Sequence, residues 1–394
     1  MSRAELLRMA RRNMAHVQAG TIDRAPDVLR VPAARYVDPA RFALELERVW
    51  RRVPLVLALS CELAEPGDFR ALEVAGVPVL LVRGDDGAPR AFLNSCAHRG
   101  AQLATEPAGN VRRFTCPYHA WSYDLDGALA GVFARADFGE VDPACHGLVR
   151  LPAGERAGLI FASLDPEANL DLDTFLCGYD RVLAEFGFER WQLFARRTVP
   201  GPNWKLAYDG YLDFYHLPIL HKATFGAGLP HRALVDAFGP HQRVSFPNPG
   251  LLRFAELPEA EWDASELLAG VWTIFPHVSI ATFDAGARSV LVSQLFPGPT
   301  ALESTTVQSY LVEREPDAAA REAAAKLFEL LGTVVRDEDY ATGLRQQRAL
   351  VSGLRRELLF GRNEVGGQRF HRCLERVIET EDAELASAFK GEGP

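Results

Sequence analysis

The chain reads as an α+β protein in which a small all-β domain precedes a larger domain of mixed strands and helices. Three observations carry that reading. Short apolar runs punctuated by Gly, Pro and Asp crowd the stretch 55–164, at 77–82, 91–94, 113–116, 121–125 and 159–163, with turn signals at Asp85-Asp86-Gly87 and Asp126-Gly127. Beyond Pro166 helical periods take over at 172–186 and 204–217, followed by strand-like stretches at 271–283, 289–296 and 304–312. An Ala-rich helical segment over 318–350 comes next, with interruptions expected at Gly332 and Gly343. The expected division is a helical segment at 1–45 packed on the larger domain, the small domain at 46–160, and the larger domain at 161–394.

With 394 residues, 48% apolar and 10% aromatic, the chain can bury a large core, which excludes disorder and fibrous repeats. Acids exceed bases by 52 to 43, so the net charge of -9 offers no phosphate-tracking surface and nucleic acid is not an expected partner. The longest apolar run, 53–59, is far short of the roughly 20 residues that span a bilayer, so no membrane is expected either. The Arg-rich start at 1–17 lacks a secretory apolar core, and Ser2 with Glu5 has capping-box spacing, so a surface helix of a cytoplasmic protein is expected. Six cysteines in such a chain read as thiols or metal ligands rather than a disulfide framework.

Two of them sit in paired loops. Cys96-Ala97-His98 and Cys116-Pro117-Tyr118-His119 each bring a Cys and a His together after an expected strand, with 17 residues between His98 and Cys116. A structural zinc site usually pairs Cys with Cys and His with His. One of each per loop suits a two-iron cluster, in which two thiolates bind one iron and two imidazoles the other. The pattern C-x-H-x17-C-x2-H, with His98-Arg99-Gly100 and the run Cys116 to Tyr123, resembles the Rieske [2Fe-2S] motif of Rieske non-haem iron oxygenases. The resemblance implies cluster ligation by Cys96, His98, Cys116 and His119.

A second constellation follows about a hundred residues later. Asn203-Trp204-Lys205 opens a helical stretch whose aromatic face also carries Asp213, His216 and His221. Asp213 and His216, three apart, can hydrogen-bond and fix the imidazole tautomer. On a straight helix His216 and His221 would diverge by about 140°, too far to share an ion. Pro218 is expected to bend or end the helix near Leu217 and swing His221 back. Two His and one distant carboxylate make a facial triad that leaves one face of Fe(II) open. The order D-x2-H-x4-H again resembles the Rieske oxygenase catalytic domain. That likeness implies an antiparallel sheet covered by helices (helix-grip, Bet v1/START-like) and a homotrimer, in which the acid matching Asp213 links His216 to the residue matching His119 in a neighbouring subunit. The family often has Glu-Asn where this chain has Asp209-Gly210.

For the third ligand, Asp337, Glu338 and Asp339 are all candidates. Helical phasing on Leu327, Leu331, Val334 and Val335 puts Glu338 nearest the apolar stripe, with Asp337 on a solvated face. Glu338-Asp339, followed by Gln347-Arg348-Ala349-Leu350, resembles the family's E-D then Q-R-G-L segment, which implies Asp339. Gly361-Arg362-Asn363-Glu364 and Phe370-His371-Arg372 extend the resemblance, and His371 is expected to pack.

The implied activity is that of a terminal oxygenase with a [2Fe-2S] cluster and Fe(II), using O2 to hydroxylate a small molecule. No G-x-G-x-x-G follows a strand, so a separate reductase, with or without a ferredoxin, is expected to supply electrons. Apolar residues at Phe225, Leu229, Leu234, Val235, Phe238, Val244, Phe246, Trp272, Ile274, Phe275 and Phe283 suggest an aromatic or alicyclic substrate. Family members also oxidise quaternary ammonium compounds or remove N- and O-methyl groups. A Rieske electron carrier and a structural zinc protein are the readings from other classes.

Overall fold

The computed structural model describes residues 2–226, 228–284 and 288–390. The chain divides into two compact units, Trp50–Leu172 and a second that joins Met1–Val49 to Asp173–Pro394. Among the described residues no helix is long and apolar enough to cross a membrane.

The Trp50–Leu172 unit is built from short antiparallel strands, in sheets of five, three and three. The central hairpin pairs Asp68–Val74 with Val77–Arg83, and Pro89–Leu93 continues the sheet. Both expected turns form: Gly87 and Gly127 take φ of +79° and +81°, a left-handed conformation that costs glycine little. Phe69, Leu80, Val82, Phe92, Phe114, Trp121 and Tyr123 form the core, and the thiols of Cys96 and Cys116 are buried in the same cluster.

The other unit centres on a seven-stranded antiparallel sheet. In spatial order its strands are Gln192–Gly201, Ser304–Val312, Arg288–Pro297, Val278–Asp284, Val271–Ile274, His241–Ser245 and Leu234–Phe238. The expected single strand over 271–283 is two, because the chain turns at 275–277 and pairs Val271 with Ala281. Tyr310 and Leu291 on this sheet pack against Ala324, Phe328 and Leu331 of the helix Ala318–Thr333.

That helix is not interrupted at its glycines. Ala318–Thr333 runs into a π-helical segment, Val334–Tyr340, and on into Ala341–Val351. Gly332 and Gly343 serve close packing instead: a Cβ at Gly332 would lie 1.8 Å from the Arg197 guanidinium, and one at Gly343 2.8 Å from Pro202. Arg197 in turn lies 3.3 Å over the Phe328 ring.

The expected long helix from 204 is also shorter than its periodicity suggests. Asn203, fully buried, caps Trp204–Asp209 by accepting from the Lys205 N–H, while its amide donates to the carbonyls of Tyr36 and Ala301 at 2.7 Å. The helix ends at Asp209, where turns at Tyr211 and Leu212 lead to Asp213. Pro218 therefore kinks nothing. It occupies the first turn of a new helix, Leu217–Leu220, where its missing N–H is not needed. The opening helix Ser2–Ala19 forms as expected, though the Ser2 side chain of the capping box lies outside what is described.

Candidate metal centres

In the Trp50–Leu172 unit the two Cys/His loops share one hydrogen-bonding pattern. The Cys96 carbonyl accepts from the Gly100 N–H, and the Cys96 N–H donates to the Ala101 carbonyl, at 2.9 and 2.8 Å. Cys116 does the same with Ala120 and Trp121, at 3.0 and 2.7 Å. In each loop the residue four after the Cys is left-handed, with φ of +74° at Gly100 and +54° at Ala120. Two matching knuckles thus bury both thiols and bring the His98 and His119 rings to 4.6 Å between centroids. His98 stacks on Trp121 at 4.9 Å and 9°.

The polar atoms of these loops fit a cluster. The Nδ1 atoms of His98 and His119 are buried and have no hydrogen-bond partner among the described residues. Such an atom costs roughly 1–3 kcal/mol if left without a partner, and a metal supplies one. Burial, then the His119 and Arg99 charges, lowers the His98 pKa, so the ring stays neutral and can ligate. Tyr123 is fully buried in the same core cluster as Cys96. Its hydroxyl lies 3.2 Å from Cys96 Sγ and accepts from the Ala97 N–H at 3.0 Å.

The second centre lies in the sheet-and-helix unit. His216 and His221 are the residues that flank the helix Leu217–Leu220, one at each end, so one helical turn rather than a bend brings them round. Their rings are 5.2 Å apart. Asp339 comes from the π-helical segment, with one carboxylate oxygen 3.8 Å from His216 Nε2 and 3.3 Å from His221 Nε2. Ligand atoms of His216, His221 and Asp339 all lie within 4.8 Å of one another, close enough together to hold one metal ion.

The remaining ring nitrogens face two other carboxylates. Asp213 takes the Nδ1–H of His216 at 3.1 Å, and its geometry is fixed by the backbone N–H groups of Tyr215 and His216 at 2.6 and 3.2 Å. The expected pair therefore exists, made by an Asx-type turn rather than by a helix face. Glu338 takes the Nδ1–H of His221 at 2.5 Å. With both Nδ1–H groups donated, both Nε2 lone pairs point at the space beside Asp339. Burial pushes the His221 imidazolium down, but hydrogen bonds and charges from Asp339 and Glu338 outweigh it and raise its pKa, so this spot favours positive charge.

Helical phasing turns Glu338 inward, and Glu338 does face His221, but a period of 3.6 residues does not bring Asp339 to the same side. The π-helical turn packs more residues per turn and lets neighbours 338 and 339 both face the imidazoles. Asp337 pairs with Arg336 on the exposed side, as expected of a solvated face. Asp209 and His371 form a contact that sequence spacing did not suggest: His371 Nε2 lies 2.9 Å from Asp209, and the Tyr36 hydroxyl bonds both, at 3.0 and 2.9 Å.

A cavity of about 240 Å³ opens beside the triad. It is lined by Asp209, Asp213, His216, Asp339 and Glu364, with apolar residues such as Phe360, and among the described residues with no Lys or Arg. Burial, then the charges of Asp213 and Asp209, raises the Glu364 pKa against a hydrogen bond from Gly361. Trp272, Ile274 and Phe275 do not line it; they are buried in the core.

Comparison with known proteins agrees with both centres in kind. Residues 53–140 match the Rieske [2Fe-2S] domain family, and residues 188–380 match the family described as ring hydroxylating alpha subunit (catalytic domain). The chain is 34% identical over 207 residues to the glycine betaine monooxygenase oxygenase subunit of Chromohalobacter salexigens, covering 50% of this chain and 46% of that protein. It is 29% identical over 336 residues to the anthranilate 1,2-dioxygenase large subunit of Acinetobacter baylyi, covering 82% and 67%. The chain spans about half the length of the betaine-oxidising relatives it matches. A solved quaternary ammonium Rieske monooxygenase in complex with L-carnitine shares the fold, with a TM-score of 0.76 at 24% identity over 90% of this chain and 97% of that one.

Proposed function

From the premise that this chain belongs to the family of Rieske oxygenase alpha subunits, we propose that it is a terminal oxygenase component acting on a small organic molecule. The two matched domains imply a Rieske [2Fe-2S] cluster and a mononuclear Fe(II). Cys96, Cys116, His98 and His119 would hold the cluster, the imidazoles through the Nδ1 atoms that have no hydrogen-bond partner among the described residues. His216, His221 and Asp339 would hold the Fe(II), and their mutual approach within 4.8 Å is the observation that carries the reading. When bound, the cluster supplies single electrons and the ferrous ion supplies a site for O2.

The chain's own residues have the supporting tasks. Asp213 holds His216 in the Nδ1–H tautomer and lines the cavity at the same time. That cavity has carboxylates and, among the described residues, no Lys or Arg, which suits docking of an imidazole edge such as His119 of the partner subunit in a trimer. Electrons would come from a separate reductase, with or without a ferredoxin.

For the substrate, the aromatic or alicyclic reading rests on the apolar sequence after His221, and the anthranilate-oxidising relative supports it. Oxidation of a quaternary ammonium compound is the second reading, favoured by the betaine-oxidising relative. The test is metal analysis followed by oxygen uptake with a surrogate reductase, across aromatic, alicyclic and quaternary ammonium compounds. Three irons per chain, acid-labile sulfide and one compound converted to oxygenated product are expected. Two irons per chain would point to an electron carrier, a colourless zinc protein would end the proposal, and uptake without product from any compound would remove the hydroxylase assignment.

A further inference from the structure

Glu338 and Asp339 are adjacent in sequence, yet they address opposite nitrogens of one ring. Glu338 Oε2 accepts from His221 Nδ1 at 2.5 Å, while Asp339 Oδ1 stands 3.3 Å from His221 Nε2. The second Glu338 oxygen accepts the hydroxyl of Thr224. Thr224 belongs to the short helix Lys222–Phe225, which begins immediately after His221. One carboxylate thus takes two hydrogen bonds from a stretch of four residues, and both of its oxygens are committed to it.

We propose that Glu338 and Thr224 act as a positioning clamp for His221, fixing its ring plane and tautomer so that Nε2 is presented beside Asp339. The proposal rests on the reading of His216, His221 and Asp339 as an iron site.

Three features separate this clamp from the contact between Asp213 and His216. Asp213 is held by backbone N–H groups of its own turn, whereas Glu338 reaches from the segment that carries Asp339 to the segment that carries both histidines. Glu338 therefore ties together the two pieces of chain that make the site. Asp213 lines the cavity and Glu338 does not, so Glu338 does not face that opening. His221 itself is 3% exposed while His216 is half-buried, so a misplaced His221 ring has few neighbouring waters to stand in for its partner. A carboxylate accepting from the far nitrogen of a metal-bound imidazole makes the near nitrogen a stronger donor, and loss of such a partner typically costs about 10- to 100-fold in metal affinity. A hydroxyl that holds that carboxylate has a smaller effect, exerted only through it.

The test is Fe(II) affinity of the mononuclear site in the full chain, measured by competition with a chelator after the cluster is loaded. The spectroscopic readout is the EPR signal of the ferrous site treated with nitric oxide. Glu338→Ala is expected to weaken Fe(II) binding by about 10- to 100-fold and to broaden the EPR signal, with the visible spectrum of the cluster unchanged. Glu338→Gln keeps an acceptor oxygen for Nδ1–H and is expected to restore part of the affinity. Thr224→Val should weaken binding less than Glu338→Ala, and Thr224→Ser should match the parent chain. Unchanged affinity and EPR signal in Glu338→Ala would overturn the clamp, and should that variant fail to fold, Thr224→Val indistinguishable from the parent would do so. A parent chain that binds no Fe(II) at this site would instead overturn the iron-site reading on which the clamp depends.

Discussion

Asp213 meets His216 twice with one carboxylate oxygen, at the ring Nδ1 at 3.1 Å and at the backbone N–H at 3.2 Å. The contact fixes the imidazole and, because Asp213 also lines the neighbouring cavity, places a charge where a docked subunit would reach it. Asp213→Ala is expected to leave both metal centres loaded and to lower turnover on the order of 100-fold. Iron and sulfide content together with oxygen uptake check this. Unchanged turnover would remove the relay role from Asp213. The outcome is the reverse of that expected at Glu338, where metal affinity is lost first, so the pair of variants separates electron delivery from metal holding.

Tyr123 makes a comparable prediction in the other unit. Its hydroxyl lies 3.2 Å from Cys96 Sγ, and burial first, then its contact with Cys96, raises its pKa, so it is a protonated donor across the working range. A hydrogen bond to a cluster sulfur favours the reduced, more negative state. Tyr123→Phe removes one such bond, worth about 1 kcal/mol, and should lower the one-electron potential by about 40 mV. Redox titration of the visible spectrum reads this directly. An unchanged potential would mean that the hydroxyl serves only the Ala97 N–H, which it also accepts.

Why these centres were legible in the sequence while their scaffolding was not follows from how each is specified. The Cys and His of the first centre come from two short loops whose spacing is set locally, and Gly100 marks one knuckle openly. Ala120 carries the matching left-handed turn in the other loop without any sequence signal. The H-x4-H pair is visible in the sequence but its route is not: the expected bend at Pro218 is a fresh helix start, because the preceding helix has already ended at Asp209 and the Asp213 side chain holds the Tyr215 and His216 N–H groups before the proline is reached. In the sequence Glu338 reads only as a rival ligand to Asp339. Its contact with His221 depends on a π-helical turn, and a period of 3.6 residues conceals that turn. The contact of Tyr36 with Asp209 and His371 spans up to 335 residues, and no local pattern encodes it.

His241 gives the last prediction, on stability and pH. Its ring is fully buried between Tyr179, stacked at 5.4 Å, and Phe175, edge-on at 4.7 Å. Nε2–H donates to the Phe175 carbonyl at 2.8 Å and Nδ1 accepts from the Phe275 N–H at 3.1 Å, so the neutral tautomer satisfies both nitrogens and a second proton would evict the Phe275 amide. Burial pushes the pKa down to about 4. Since the folded value lies below the ordinary value near 6.5, the unfolded chain binds the extra proton first. The contribution is therefore complete above about pH 6.5 and is lost as pH falls from there towards 4, to the extent of about 3 kcal/mol. Burial pushes His277 down to about 3, which adds a loss of the same sign. Urea unfolding of the parent and of His241→Gln between pH 7.5 and 4.5 tests the assignment: the variant should be weaker at pH 7.5 but should lose less on acidification. Equal pH slopes in the two proteins would show that His241 does not titrate on unfolding in this range.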